Sequence, residues 1–131
     1  MTLEPFFNAP GIVQLHALSA LAALVIGSVQ LVGPKGTAIH RATGYAWVIL
    51  MIVIAVSSFW IKALDQWNGF SFIHLLSAIT LITVPLAVLA ARRGAIARHR
   101  AAMMILFWSA LVLAGLFTLA PGRVMHRVLF G

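Results

Sequence analysis

The chain contains no cysteine and only two acidic residues, Glu4 and Asp65, in 131 positions. The first absence removes disulfides, thiolate metal sites, thiol redox chemistry and covalent attachment of c-type haem. The second removes paired carboxylates. The apolar stretches hold neither Asp nor Glu, so the acid–base pairs and carboxylate-oriented triads of hydrolytic enzymes cannot be assembled there. No glycine-rich phosphate loop is present either, which argues against nucleotide binding. Charge of any sign is scarce: 8% of residues are charged and 63% are hydrophobic, against roughly 25% and 45–50% in soluble domains.

What remains is apolar sequence in long runs. A bilayer-spanning helix needs about 20 mainly apolar residues, and four windows satisfy that: residues 11–32, 43–64, 70–91 and 101–120. The expected fold is all-α, an integral membrane four-helix bundle in which residues 1–131 form a single transmembrane domain, with an interfacial tail over 121–131. The first 34 residues hold no Lys or Arg, whereas a secretory signal opens with a positive segment, so the first stretch reads as a retained helix. Pro5, Phe6, Phe7, Asn8 and Pro10 form an interfacial lead-in, and Gly33-Pro34-Lys35-Gly36 stops the first helix. Trp60 and Trp67 fit an aromatic belt. Pro85 is expected to bend the third helix.

The net charge of +7 is carried where helices leave the membrane, which favours membrane lipids over nucleic acid as the partner. Lys35, Arg41, Arg92, Arg93, Arg98 and Arg100 fall in the first and third loops, and Lys62, Arg123 and Arg127 on the other side. That asymmetry places the first and third loops in the cytoplasm and both termini on the non-cytoplasmic side of a bacterial inner membrane.

The chain also repeats itself. Leu15-His16-Ala17-Leu18-Ser19-Ala20 returns as Ile73-His74-Leu75-Leu76-Ser77-Ala78, shifted by 58 residues. The same shift carries Lys35-Gly36 onto Arg93-Gly94, and one inserted residue later His40-Arg41-Ala42 corresponds to His99-Arg100-Ala101. Two tandem helical hairpins then relate by a pseudo-two-fold axis along the membrane normal. Across that axis His16 faces His74 near the outer side, and His40 faces His99 near the cytoplasmic side. About 16 helical residues, or roughly 24 Å, separate the two layers.

An ionisable side chain in a membrane helix is costly and reads as functional. A b-type haem wants an imidazole on each side of its iron, an apolar slot and cations near its propionates. Each histidine pair comes from diagonal helices of a bundle, where cofactors are held. Small residues including Ala17, Ala20, Gly27, Gly44, Ala78 and Gly115 would admit a porphyrin, and Arg41, Arg100, Lys35 and Arg93 would hold propionates. Two bis-histidine haems, with His16, His74, His40 and His99 as axial iron ligands, would carry electrons across or within the bilayer. Quinone, superoxide or a metal chelate would be the small redox partner, and the chain would pair as a homodimer. Alternatives stand beside this. The same histidines serve as bare metal ligands or a proton relay, although two per layer fall short of zinc's preferred ligand set. Or the chain binds nothing and is an accessory subunit, with Arg and His as interfacial anchors and with His16 and His74 hydrogen-bonded to Ser19 or Ser77. His126 has no counterpart in the repeat and reads as a tail residue.

The arrangement of His16, His40, His74 and His99 resembles the cytochrome b561 type of dihaem membrane protein. That resemblance implies a four-helix core with one haem near each face, an oxidoreductase held by histidines of alternate helices. The segments Gly33-Pro34-Lys35-Gly36-Thr37, His40-Arg41-Ala42-Thr43-Gly44-Tyr45, Phe70-Ser71-Phe72-Ile73-His74 and His99-Arg100-Ala101-Ala102-Met103 are similar to those of a family of small bacterial predicted membrane proteins of unknown function, over nearly the whole chain.

Overall fold

A computed structural model describes the backbone of residues 2–64, 72–117, 128 and 130, and the side chains of 2–60, 75–112, 115, 116, 128 and 130. The described residues are helical, with no strand among them. A short α1 (Glu4–Phe7) precedes α2 (Gly11–Val32), α3 (Ala38–Leu64), α4 (Phe72–Arg92) and α5 (Ile96–Ile105); α5 runs directly into a π-helical segment (Leu106–Leu113) and then α6 (Ala114–Phe117). Among the described residues three helices are long and apolar enough to cross a membrane: α2, Ala38–Trp60 of α3 and Leu75–Arg92 of α4. Their large side chains point outward in numbers a soluble protein would not tolerate. Val25 is 63% exposed and Ile82 64%, as befits helices whose outer faces meet lipid.

Helix α3 begins five residues before the expected start at residue 43. The reason is a cap. Thr37 Oγ1 accepts the His40 N–H at 3.0 Å, and the Thr37 carbonyl accepts the Arg41 N–H at 3.1 Å. A threonine in this position satisfies a donor that the first turn would otherwise leave orphaned. His40 therefore lies in the first turn of α3 rather than in a loop.

The fourth helical stretch also differs from expectation. It starts at Ile96, not residue 101, and residues 106–113 adopt the wider π form. Pro85 lies inside α4, which continues unbroken around it. The two turns that precede α3 and α5 match in detail: Gly36 has φ 77° and Gly94 φ 75°, the only positive-φ residues described. These are the glycines that the 58-residue shift superimposes.

Neighbouring helices pack in sequence order, α2 on α3, α3 on α4 and α4 on α5, and the π segment reaches both α4 and α2. At the centre lie Ala23, Trp47, Met51, Val84, Leu106, Phe107 and Leu111. The Trp47 indole N–H donates to the Ala23 carbonyl at 3.0 Å, which pins α3 to α2. At the chain ends, the Gln14 side chain donates to the carbonyls of Phe7 (3.2 Å) and Ala9 (3.0 Å). The Thr2 N–H donates to the carbonyl of the buried Val128 at 2.9 Å, so part of the tail returns to the N-terminus. The expected turn at Asp65, Trp67, Asn68 and Gly69, and the tail residues Pro121, Gly122, Arg123, His126 and Arg127, lie outside the described residues.

Candidate functional site: two polar layers around an apolar middle

Polar side chains gather at the two ends of the helices and leave the middle to Trp47, Met51 and Phe107. In the layer near the start of α2, His16 Nδ1 stands 2.8 Å from Ser57 Oγ. Ser57 Oγ in turn donates to the Ile54 carbonyl at 3.0 Å. A hydroxyl has one hydrogen. With that hydrogen committed to Ile54, the serine oxygen accepts and His16 Nδ1–H donates. The neutral ring then carries its free lone pair on Nε2.

Beside this pair, Ser58 Oγ donates to the Ala55 carbonyl at 2.6 Å and is hydrogen-bonded to the buried Ser77 Oγ. Both expected partners of His16 are thereby corrected: it bonds Ser57 across the α2–α3 interface, while Ser77 bonds Ser58. His74 lies on α4 one turn before Ser77, and its side chain lies outside the described residues.

The second layer sits where α2 ends and α3 and α5 begin. His99 Nδ1–H donates to the Ala87 carbonyl at 2.9 Å, since a carbonyl oxygen only accepts. His99 therefore has the same tautomer as His16, with Nε2 free. His40, half-buried on α3, is within electrostatic reach of His99, Lys35 and Arg41. Its Nδ1 is the only buried side-chain nitrogen or oxygen without a hydrogen-bond partner among the described residues. The backbone around it is clamped: Gln30 Nε2 donates to the His40 carbonyl at 2.9 Å, and Thr43 Oγ1 donates to Gln30 Oε1 at 2.8 Å. His16 and Gln30 are 14 residues apart on α2, so the layers are separated by roughly 21 Å.

The cations of the second layer divide into two groups. Lys35 Nζ donates to the carbonyls of Leu31 (3.0 Å) and Gly33 (2.7 Å), closing the C-terminus of α2. Arg41 Nη1 donates to the Gly36 carbonyl at 3.1 Å. Arg92 grips the Tyr45 hydroxyl through Nε (3.1 Å) and Nη2 (3.0 Å). Arg93 and Arg98 instead line a cavity between α4 and α5, and Arg100 is exposed.

Ser57, Ser58 and Gln30 were not among the expected site residues. The available signal was a hydrogen-bonding side chain inside an otherwise apolar span, which membrane helices retain when a neighbour needs it. Gly27, expected to leave room for a porphyrin, is instead covered by Phe107 and Trp47. Among the described residues no three metal-ligating side chains converge.

An all-helical membrane protein with histidines held in one tautomer at both ends of its helices is the class these observations define. The chain belongs to the family described as predicted membrane protein (DUF2306), a domain of unknown function, which it matches over residues 13–129. No curated protein and no solved structure matches it.

Proposed function

We propose that the chain is a membrane-embedded b-type cytochrome of the b561 kind, a four-helix bundle of two related hairpins that carries electrons across or within a bacterial inner membrane. The observation that carries this reading is the His40–His99 layer. A buried polar atom without a partner costs about 1–3 kcal/mol and in native proteins marks an ion or group that completes it. His40 Nδ1 is such an atom. It neighbours a histidine whose ring is oriented by a backbone carbonyl, the arrangement by which proteins fix a ligating imidazole and raise its basicity. These imidazoles would hold haem iron, His40 with His99 in one layer and His16 with His74 in the other. Arg41 and Arg100, each next in sequence to an inner histidine, would hold propionates. Lys35 and Arg93 complete the positive face.

Haem, when bound, supplies a one-electron couple. The chain's own residues orient His16 and His99, exclude water with Trp47, Met51 and Phe107, and tune the local charge. In the outer layer the His16–Ser57–Ile54 chain ends on a helix carbonyl. That geometry holds a ring still and gives a proton nowhere to go, which favours a ligand over a relay.

The test is an absorbance spectrum of full-length protein made with haem available, air-oxidised and then reduced with dithionite. A Soret band reduced by about half in His40→Ala with His99→Ala, and likewise in His16→Ala with His74→Ala, supports the reading. A colourless protein, or a band indifferent to both double variants, overturns it, and a colourless protein retaining a partner subunit favours the accessory role.

A further inference from the structure

Between α4 and α5 lies a cavity of about 300 Å³ lined by Leu86, Leu89, Ala90, Arg93, Ala95, Arg98 and Ala102. We infer that this groove binds the phosphate headgroup of an anionic phospholipid through Arg93 and Arg98, with the start of an acyl chain on its leucine and alanine floor. Neither His40 nor His99 lines the groove; Arg93 is the one residue it shares with the positive face proposed above, and lipid retention is read without reference to haem.

Charge complementarity selects the occupant. The side chains of Arg93 and Arg98 are exposed and have no hydrogen-bond or ion-pair partner among the described residues, whereas those of Lys35, Arg41 and Arg92 are each committed to carbonyls or to Tyr45. Among the described residues no acid neutralises them: the one carboxylate side chain there is Glu4, in α1. Two planar guanidinium forks at one rim match the oxygens of a phosphate diester.

The position selects a lipid. Arg93 follows directly on a candidate membrane span that ends at Arg92. Leu86 and Leu89 lie on α4 and Arg93 just past its last residue, so the apolar floor runs about 10 Å from the cations into the hydrocarbon depth. The volume lies at the lower end of ligand pockets, roughly 300–1,000 Å³, which suits a headgroup and the first part of one chain. A general attraction of basic loops for anionic membranes would be shared by every cation on this face; the groove concentrates it in two.

The test extracts the full chain into detergent from vesicles of equal phosphatidylglycerol and phosphatidylcholine and measures the lipid retained. Wild type is expected to keep phosphatidylglycerol preferentially. Arg93→Gln with Arg98→Gln should lower its retention at least about tenfold, the loss of one or two charge-assisted bonds, while Lys35→Gln with Arg41→Gln should not. Ala90→Leu fills the groove without touching a charge and should also lower retention, which keeps the inference testable should the arginine variant fold poorly. Equal retention by all variants, or no preference in wild type, overturns it. So does thermal stabilisation by inorganic phosphate alone equal to that by phosphatidylglycerol, which would show a phosphate site with no lipid component.

Discussion

Gly27 lies directly beneath the ring of Phe107. A Cβ at this position would stand 2.8 Å from Phe107 Cδ1 and Cε1 and 2.9 Å from Trp47 Nε1, closer than packed atoms approach. The glycine exists so that two aromatic side chains from different helices can meet the backbone of α2. Phe107 and Trp47 are both buried, so neither ring can swing away. Gly27→Ala should therefore destabilise the protein by about 1–3 kcal/mol through overpacking, read as a lower thermal midpoint in detergent. Gly11→Ala, where a Cβ meets nothing within 4 Å, should leave that midpoint in place.

Thr37 caps the turn that carries His40. Thr37→Ala should cost about 0.5–2 kcal/mol and fray the start of α3, whereas Thr37→Ser retains the oxygen and should behave as wild type. On the haem reading the damage is local: absorbance assigned to the His40–His99 layer falls while that of the other layer persists. Comparing the capped and uncapped variants in the background of His16→Ala with His74→Ala measures this, and equal spectra would contradict the link.

Ser57 orients His16. Removing its hydroxyl in Ser57→Ala leaves the imidazole free to rotate, and the loss of such an orienting partner typically lowers metal or cofactor affinity 10–100-fold. Haem titration of the apoprotein should show that loss for one of two binding steps. Ser58→Ala, which removes the bond to Ser77 and not the one to His16, should lower stability with haem affinity retained.

The two hairpin turns should respond alike. Gly36 and Gly94 adopt left-handed backbone, a conformation that costs a residue with a side chain roughly 1–2 kcal/mol. With open space around each, the penalty for Gly36→Ala and Gly94→Ala is purely conformational and should be similar in size, with asparagine milder at both. Chemical denaturation of the two single variants checks this, and a large difference would show that the turns are not equivalent.

Hydropathy made the helices legible, because nothing except a membrane accommodates such long apolar runs. Their ends were less so: the beginning of α3 depends on one hydroxyl at Thr37, which hydropathy does not weigh. The repeated sequence drew attention to the four histidines, and Gly36 and Gly94, which the same shift brings into register, both have positive φ. Which serine His16 would find was not legible. Ser19 shares its helix and Ser77 belongs to the repeat, but Ser57 is brought near only by the packing of α2 against α3. Gly27 shows the same limit from the other side, since a small residue in a sequence does not reveal what will fill the space above it.

The π segment has a consequence for anyone mapping this protein by helical wheel. Closing each turn with an i→i+5 bond takes up one more residue than the α form, so the wheel drawn through Ile96–Ile105 loses its phase across Leu106–Leu113. Scanning the fourth stretch with a lipid-soluble label should show a 3.6-residue rhythm that slips midway. Past Leu106, position along the sequence no longer tells which way a side chain looks on the wheel drawn for Ile96–Ile105.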